Sequence, residues 1–184
     1  MQQAAEKCDF CSVSVQTNHT HFMNAGNRKL LCACPACVVL LGEQAESKYK
    51  KVPDSIRFLP AFHLTDEQWD RLSIPIQIAF FFYNSTDRKI TSYYPSPSGP
   101  IESLLPLDCW NEVTANNPLL NEMQPDVEAL LVNRMNATRD YYLVPIDECY
   151  ALVGIMRLHW KGFSGGTGVW NRINRFFDEL RKKS

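Results

Sequence analysis

The sequence predicts an α+β protein in two parts: a small N-terminal module over residues 1–51 and, over 52–184, a domain built around an antiparallel sheet. Three observations carry this. Two Cys-x2-Cys pairs flank a hairpin-like stretch near the N-terminus. Ile74 to Tyr83 alternates with period two in β-branched and aromatic residues, the mark of a strand. Val169, Trp170, Ile173, Phe176, Phe177 and Leu180 fall on one face of a helix. Strands and helices that do not alternate regularly indicate α+β rather than a parallel α/β sheet.

In the module, Cys8-Asp9-Phe10-Cys11 is followed twenty-two residues later by Cys34-Pro35-Ala36-Cys37. Such pairs form tight knuckles whose sulfurs converge on one tetrahedral ion. Between them, Val13 to Met23 and Arg28 to Cys32 are predicted strands, and Asn24-Ala25-Gly26-Asn27 offers residues that tolerate positive φ at the turn. Pro35 suits the first position of a helix continued by Val38 to Leu41. The second pair then lies at a helix N-terminus, where free amides and the dipole stabilise thiolates. Knuckle, hairpin and helix-borne ligands in this order resemble the treble-clef or zinc-ribbon-like class of zinc modules.

The predicted ligands are Cys8, Cys11, Cys34 and Cys37. Cys32 can replace Cys34, since residues two apart on a strand share a face; the simpler reading is a small buried residue beside the site. His19 and His21 also share a strand face and can supply a ligand or a second site, or stand solvated. Four thiolates closed around an ion describe structural zinc; iron, alone or as an iron–sulfur cluster, takes the same donors. A closed site leaves no position for water and argues against catalysis at that metal.

The polar stretch Glu43 to Asp54 is read as a helix end and connection. Thr65 and Gln68 form a capping box, with Leu64 and Trp69 as hydrophobic staple. The helix is short because Pro75 follows. After the strand ending at Tyr83, Asn84 to Asp87 is turn chemistry and Lys89 to Tyr94 returns as a second strand. Three prolines within Pro95 to Pro100 predict a loop, and Asp108 to Glu112 a helix start. Val127 to Arg134 suits a helix or a buried strand; the strand reading pairs it with Tyr141 to Val144. Asp147 is placed as the cap of a helix turning Tyr150, Leu152, Val153 and Met156 inward. The final amphipathic helix ends in Arg181, Lys182 and Lys183, where its dipole favours cations.

Composition narrows the function classes. Hydrophobic residues make up 45% and charged residues 21% of the 184, with a net charge of −1, values of a globular protein and not of a polyanion binder. The N-terminus lacks a secretory signal, and no apolar run reaches the roughly 18–20 residues of a membrane span. The expected compartment is the cytoplasm, with no membrane and no nucleic acid among the partners. Seven cysteines in a reducing compartment are ligands or core residues; Cys149, among apolar neighbours, is a core residue. Outside the module, Arg157, His159, Gly165 and Gly166 can form an anion or small-molecule site near the Pro95–Pro100 loop. The alternative is a glycine turn against which Trp160 packs.

Several segments are similar to one bacterial family of unknown function, known mainly from actinobacteria and sometimes encoded near nickel–iron hydrogenase genes. They include the cysteine pairs, His19-x-His21, Leu31-Cys32-Ala33-Cys34, Tyr94-Pro95-Ser96-Pro97 and Asp126 to Leu131. Pro145-Ile146-Asp147, Cys149-Tyr150, His159-Trp160-x-Gly162 and Gly165-Gly166 complete the set. The resemblance covers nearly the whole chain and implies an accessory role in assembly or electron transfer. The leading expectation is therefore a zinc-binding accessory protein with a protein partner, for which Tyr93, Tyr94, Trp110 and Trp160 are candidate anchors. An enzyme with a site at Arg157 and His159 is the runner-up, and nucleic-acid binding the weakest reading.

Overall fold

Two antiparallel sheets, of three and six strands, carry the chain in a computed structural model that describes residues 6–42, 48–104, 106–162 and 165–184. The small sheet has the order β2-β1-β3, from β1 (Thr20–Asn24), β2 (Lys29–Ala33) and β3 (Tyr49–Lys51). Helix α1 (Pro35–Gly42) follows β2 directly. The predicted first strand thus begins only at Thr20. Upstream of it, Cys8 donates its N–H to Val13 O and Ser12 donates to Cys8 O, both at 2.8 Å. Those bonds curl the chain into a knuckle, and Val13 to Asn18 keeps only an isolated antiparallel bridge, Ser14 to Lys7, in place of a strand.

At the β1–β2 turn the left-handed residue is Arg28 (φ 55), not Gly26. Its guanidinium donates to the Tyr93 hydroxyl at 2.6 Å and lies over that ring, contacts that hold an arginine in an unusual backbone conformation. Residues 43–47 of the predicted connection lie outside the described residues. Beyond them Tyr49–Lys51 forms the third strand of the small sheet, pairing with Phe22–Asn24 of β1, where a plain connection was expected.

The large sheet has the order β4-β9-β8-β5-β6-β7, from β4 (Arg57–Phe58), β5 (Ile78–Asn84), β6 (Lys89–Ser96), β7 (Gly99–Ser103), β8 (Glu128–Asn133) and β9 (Asp140–Pro145). Alternate residues of β5 and β8 enter two separate cores. Ile78, Phe80, Phe82 and Leu131 face α4 (Ile146–His159) and α5 (Gly166–Lys183). Ala79, Phe81, Leu130 and Val132 face Trp69 of α2 (Asp66–Arg71) and Trp110 and Val113 of α3 (Leu107–Asn116). With helices on both faces the central strands need no polar side. That is why Val127 to Arg134 carries no alternation, and the strand reading paired with β9 holds. Trp110, expected as a surface anchor, instead stacks on Phe81 with ring centroids 5.1 Å apart.

Several other boundaries moved. The capping box of Thr65 and Gln68 forms as expected. The following strand starts at Ile78, four residues later than its alternation suggests. Pro95 to Pro100 is not a loop: β6 runs through Pro95 to Ser96, turns on Pro97-Ser98, and returns as β7 with Pro95 opposite Pro100. The prolines are tolerated because β5 pairs with β6 only as far as Tyr93, so no ladder bond to β5 is lost at Pro95, and β7 is an edge strand. The N-cap of α4 is Pro145, and Asp147 lies inside the first turn, where Oδ1 accepts the Glu148 N–H at 2.9 Å and Oδ2 faces His21. No helix among the described residues is long and apolar enough to cross a membrane.

The sheets are tied together by specific contacts. Met23 of β1 and Val52, just after β3, are buried in the α4/α5 core. Lys50 pairs with Asp126, Thr86 Oγ1 donates to Ala25 O at 3.0 Å, and His21 reaches Asp147.

Candidate metal centre

The first knuckle brings Cys8 and Cys11 into one tight turn, and the step from β2 into α1 does the same for Cys34 and Cys37. The four sulfurs all lie within 4.8 Å of one another. Cys11 Sγ and Cys34 Sγ are 3.6 Å apart, whereas zinc–sulfur bonds of about 2.3 Å in a tetrahedron separate sulfurs by about 3.8 Å. The donor set is compatible with a single ion. Cys8, Cys34 and Cys37 are buried, and Cys11 is exposed at the rim. Phe10, Val15 and Leu41 pack around the cluster.

The thiols do not ionise alike without an ion. Burial raises Cys8, but the backbone N–H groups of Cys34, Phe10 and Cys11 outweigh it and bring the thiol down to about 6. Burial pushes Cys37 up to about 12, aided by the neighbouring Cys34, Cys11 and Cys8 sulfurs. Cys11 receives the Val13 backbone contact, which lowers it, but the Cys34 and Cys8 sulfurs leave it raised overall. One thiolate so crowded keeps its neighbours protonated; a cation at the centre removes that conflict.

Between Cys32 and Cys34 the geometry discriminates. β2 ends at Ala33, and the chain turns before Cys34 enters the cluster, so the two cysteines no longer share a strand face. Cys32 instead lies opposite His21 in the β1–β2 register. With His19 it forms a second group whose ligand atoms fall within 4.8 Å of one another. Burial raises the Cys32 thiol, and the Glu6 and Asp9 carboxylates add to this. The two groups are joined at Asp9, which accepts the Cys32 N–H at 2.7 Å and donates its own N–H to Cys32 O at 2.9 Å. The two histidine rings lie 4.7 Å apart; the His19 side chain is only 4% exposed and that of His21 25%. Among the described residues His19 Nε2 is buried without a hydrogen-bond partner, a state that costs about 1–3 kcal/mol when nothing else satisfies it.

The residues predicted as a second ligand region are arranged differently. Arg157 is exposed and His159 half-buried near the end of α4, the helix that packs on β6 and β7. Gly165 adopts φ +83, and a Cβ there would meet Trp160 Cε3 and Val169 Cγ1 at 2.9 Å. Lys161 N donates to Gly165 O at 3.1 Å, and Trp160 Nε1 to Gly162 O at 2.9 Å. The glycine pair thus shapes a turn that seats Trp160 and starts α5; Phe163 and Ser164 lie outside the described residues. Cys149 is fully buried, and burial, then the Asp147 and Glu148 carboxylates, drive its thiol far upward, as suits a core residue and not a nucleophile.

The chain belongs to a family of unknown function (DUF5947), whose model matches residues 7–184. The match takes in the cysteine knuckles and both sheets, in keeping with a resemblance that spans nearly the whole chain. No curated protein and no solved structure matches it.

Proposed function

We propose that this protein is a zinc-binding accessory or interaction protein in which Cys8, Cys11, Cys34 and Cys37 hold a structural ion. The convergence of the four sulfurs carries the reading. Zinc is favoured over iron because a compact, closed four-thiolate set matches its structural sites and needs no redox role. The ion supplies a cross-link between the first knuckle and α1. The residues around it fix the geometry: backbone amides direct Cys8, and Phe10 packs edge-on against Phe22 and Tyr49. In treble-clef terms, residues 1–51 form the module and 52–184 the domain that it braces.

A protein partner is supported by the outer face of α1. Val39 and Leu40 are 70% and 73% exposed on an eight-residue helix whose other side covers the small sheet. The hydrogenase context rests on the resemblance alone and names where a partner is to be sought. Stoichiometric capture of a protein by the tagged chain from native lysate, lost in the Val39→Asp/Leu40→Asp variant, is the expected result. Capture of nothing under several growth conditions counts against the interaction role. Loss of the metal with no change in folding on substituting Cys11 and Cys34 by Ser counts against the structural one.

A further inference from the structure

Beside the four-cysteine cluster, we propose a second metal site formed by His19, His21 and Cys32, which takes a divalent transition cation such as zinc and leaves its fourth position open. The three side chains come together for reasons written in the strand register. His21 and Cys32 are directly opposed across β1 and β2 and so share a face. His19, two residues before His21, joins the same face, and the three ligand atoms lie within 4.8 Å of one another.

Both imidazoles are held through Nδ1, which favours the tautomer a metal requires. His21 Nδ1 lies 2.9 Å from Asp147 Oδ2, and His19 Nδ1 lies 2.7 Å from Gln16 O. Carboxylate and carbonyl oxygens only accept in these bonds, so each neutral ring carries its proton on Nδ1 and its lone pair on Nε2. A ligating histidine held through its other nitrogen by a carboxylate or a backbone carbonyl is the usual outer-shell arrangement at metal sites. The buried Nε2 of His19, without a partner among the described residues, is an independent observation in favour of a ligand there. Protein ligands of this number and kind, two imidazoles and one thiolate, leave a coordination position for water or an exchangeable donor, unlike the four-cysteine set. His19 also lines a cavity of about 570 Å³ with Gln16, Ala33, Pro35 and Val38, which offers an approach to that position.

Asp147 gives the site a structural consequence. It belongs to the first turn of α4 in the large core, while the ligands it orients belong to the small sheet. An ion at His19, His21 and Cys32 therefore fastens the small sheet to α4 through a side-chain pair.

The test is titration of the purified protein, with its four-cysteine site loaded, by Zn2+ and separately by Co2+. A second equivalent is expected to bind, with the Co2+ form showing a tetrahedral spectrum in which one thiolate contributes, and with imidazole proton resonances shifting. His21→Ala and, more conservatively, Cys32→Ser are expected to abolish the second equivalent and leave the first. Asp147→Asn is expected to weaken it by about 10–100-fold while keeping its spectrum, as a positioning residue should. Cys11→Ser is expected to remove the first equivalent, so failure at either site is read separately. Titration that ends at one equivalent in the wild type overturns the proposal. So does a second equivalent that persists in Cys32→Ser and His19→Ala proteins with wild-type circular dichroism.

Discussion

Lys50 Nζ lies 2.6 Å from Asp126 Oδ2, an ion pair that joins the third strand of the small sheet to the residue that turns the chain into β8. Asp126 is 2% exposed and adopts φ 71, and its other contacts come from Ser85 N at 2.9 Å and Ser85 Oγ at 2.5 Å. The carboxylate is therefore buried in the larger domain but neutralised by the smaller sheet. Lys50→Met leaves it with Ser85 alone. That change is expected to lower unfolding free energy by about 2–3 kcal/mol, less than the roughly 3–5 kcal/mol for a fully buried pair because the Lys50 side chain is a third exposed. Chemical denaturation checks this; a loss below about 0.5 kcal/mol would show that the pair contributes little to the joining of the sheets.

Gly165→Ala tests the turn that seats Trp160. The substitution puts a side chain at φ +83 and into the Trp160 ring and Val169. Left-handed backbone at a non-glycine residue alone costs about 1 kcal/mol or more, and the contact adds to it. The expected result is a lowered melting temperature with Trp fluorescence shifted and metal content unchanged. If stability is intact, the glycine pair is not needed for the turn.

The pH dependence of the metal-free module follows from two opposed shifts. Cys8 falls from 9.0 to about 6, so between those values it is a thiolate when folded and a thiol when unfolded. Its contribution is fully present above pH 9 and is lost as pH falls through 6. Cys37, raised to about 12, retains its proton when folded after the unfolded thiol has lost its own. That makes stability decline as pH rises above 9. A maximum near pH 9 is expected in urea unfolding of chelator-treated protein, and Cys8→Ser should flatten the rising limb. A flat profile in the unsubstituted protein would contradict the assignment of the ionised thiol.

Much of this was legible from residue patterns, and the misses have local causes. The knuckle spacing, the Thr65–Gln68 box and the Val169–Leu180 stripe are local signals, and each formed where expected. The β3 strand was missed because Tyr49–Lys51 looks polar and is only three residues long, and its partner in the register, Phe22–Asn24, lies too far back in the sequence to leave a local sign. Prolines at 95 and 100 hid a hairpin because their tolerance depends on which neighbours the strands lack. The strands at Ile78 and Glu128 lack a polar face for the same kind of reason, since helices cover both sides. The pairing of His21 with Asp147 spans 126 residues and left no mark in the sequence beyond the histidine spacing.

Thiol accessibility separates Cys11, exposed at the rim of the cluster, from the core cysteines. Cys109 and Cys149 are both fully buried, and burial raises each thiol. In folded protein stripped of metal, an alkylating reagent above about pH 9 is expected to modify exposed Cys11 and leave Cys109 and Cys149 unmodified until denaturant is added. Peptide mass mapping reads the sites; early modification of Cys149 would contradict its place in the α4/α5 core.

The most direct measurement is the metal content and visible spectrum of protein purified without added metal, after dialysis against a chelator. The account predicts about one retained zinc per chain, no colour, and loss of that zinc in Cys11→Ser. Folded protein whose four ligand thiols titrate freely with no metal retained would contradict it. Retained iron with visible absorbance would contradict the structural role and make the four cysteines a redox or cluster-handling site.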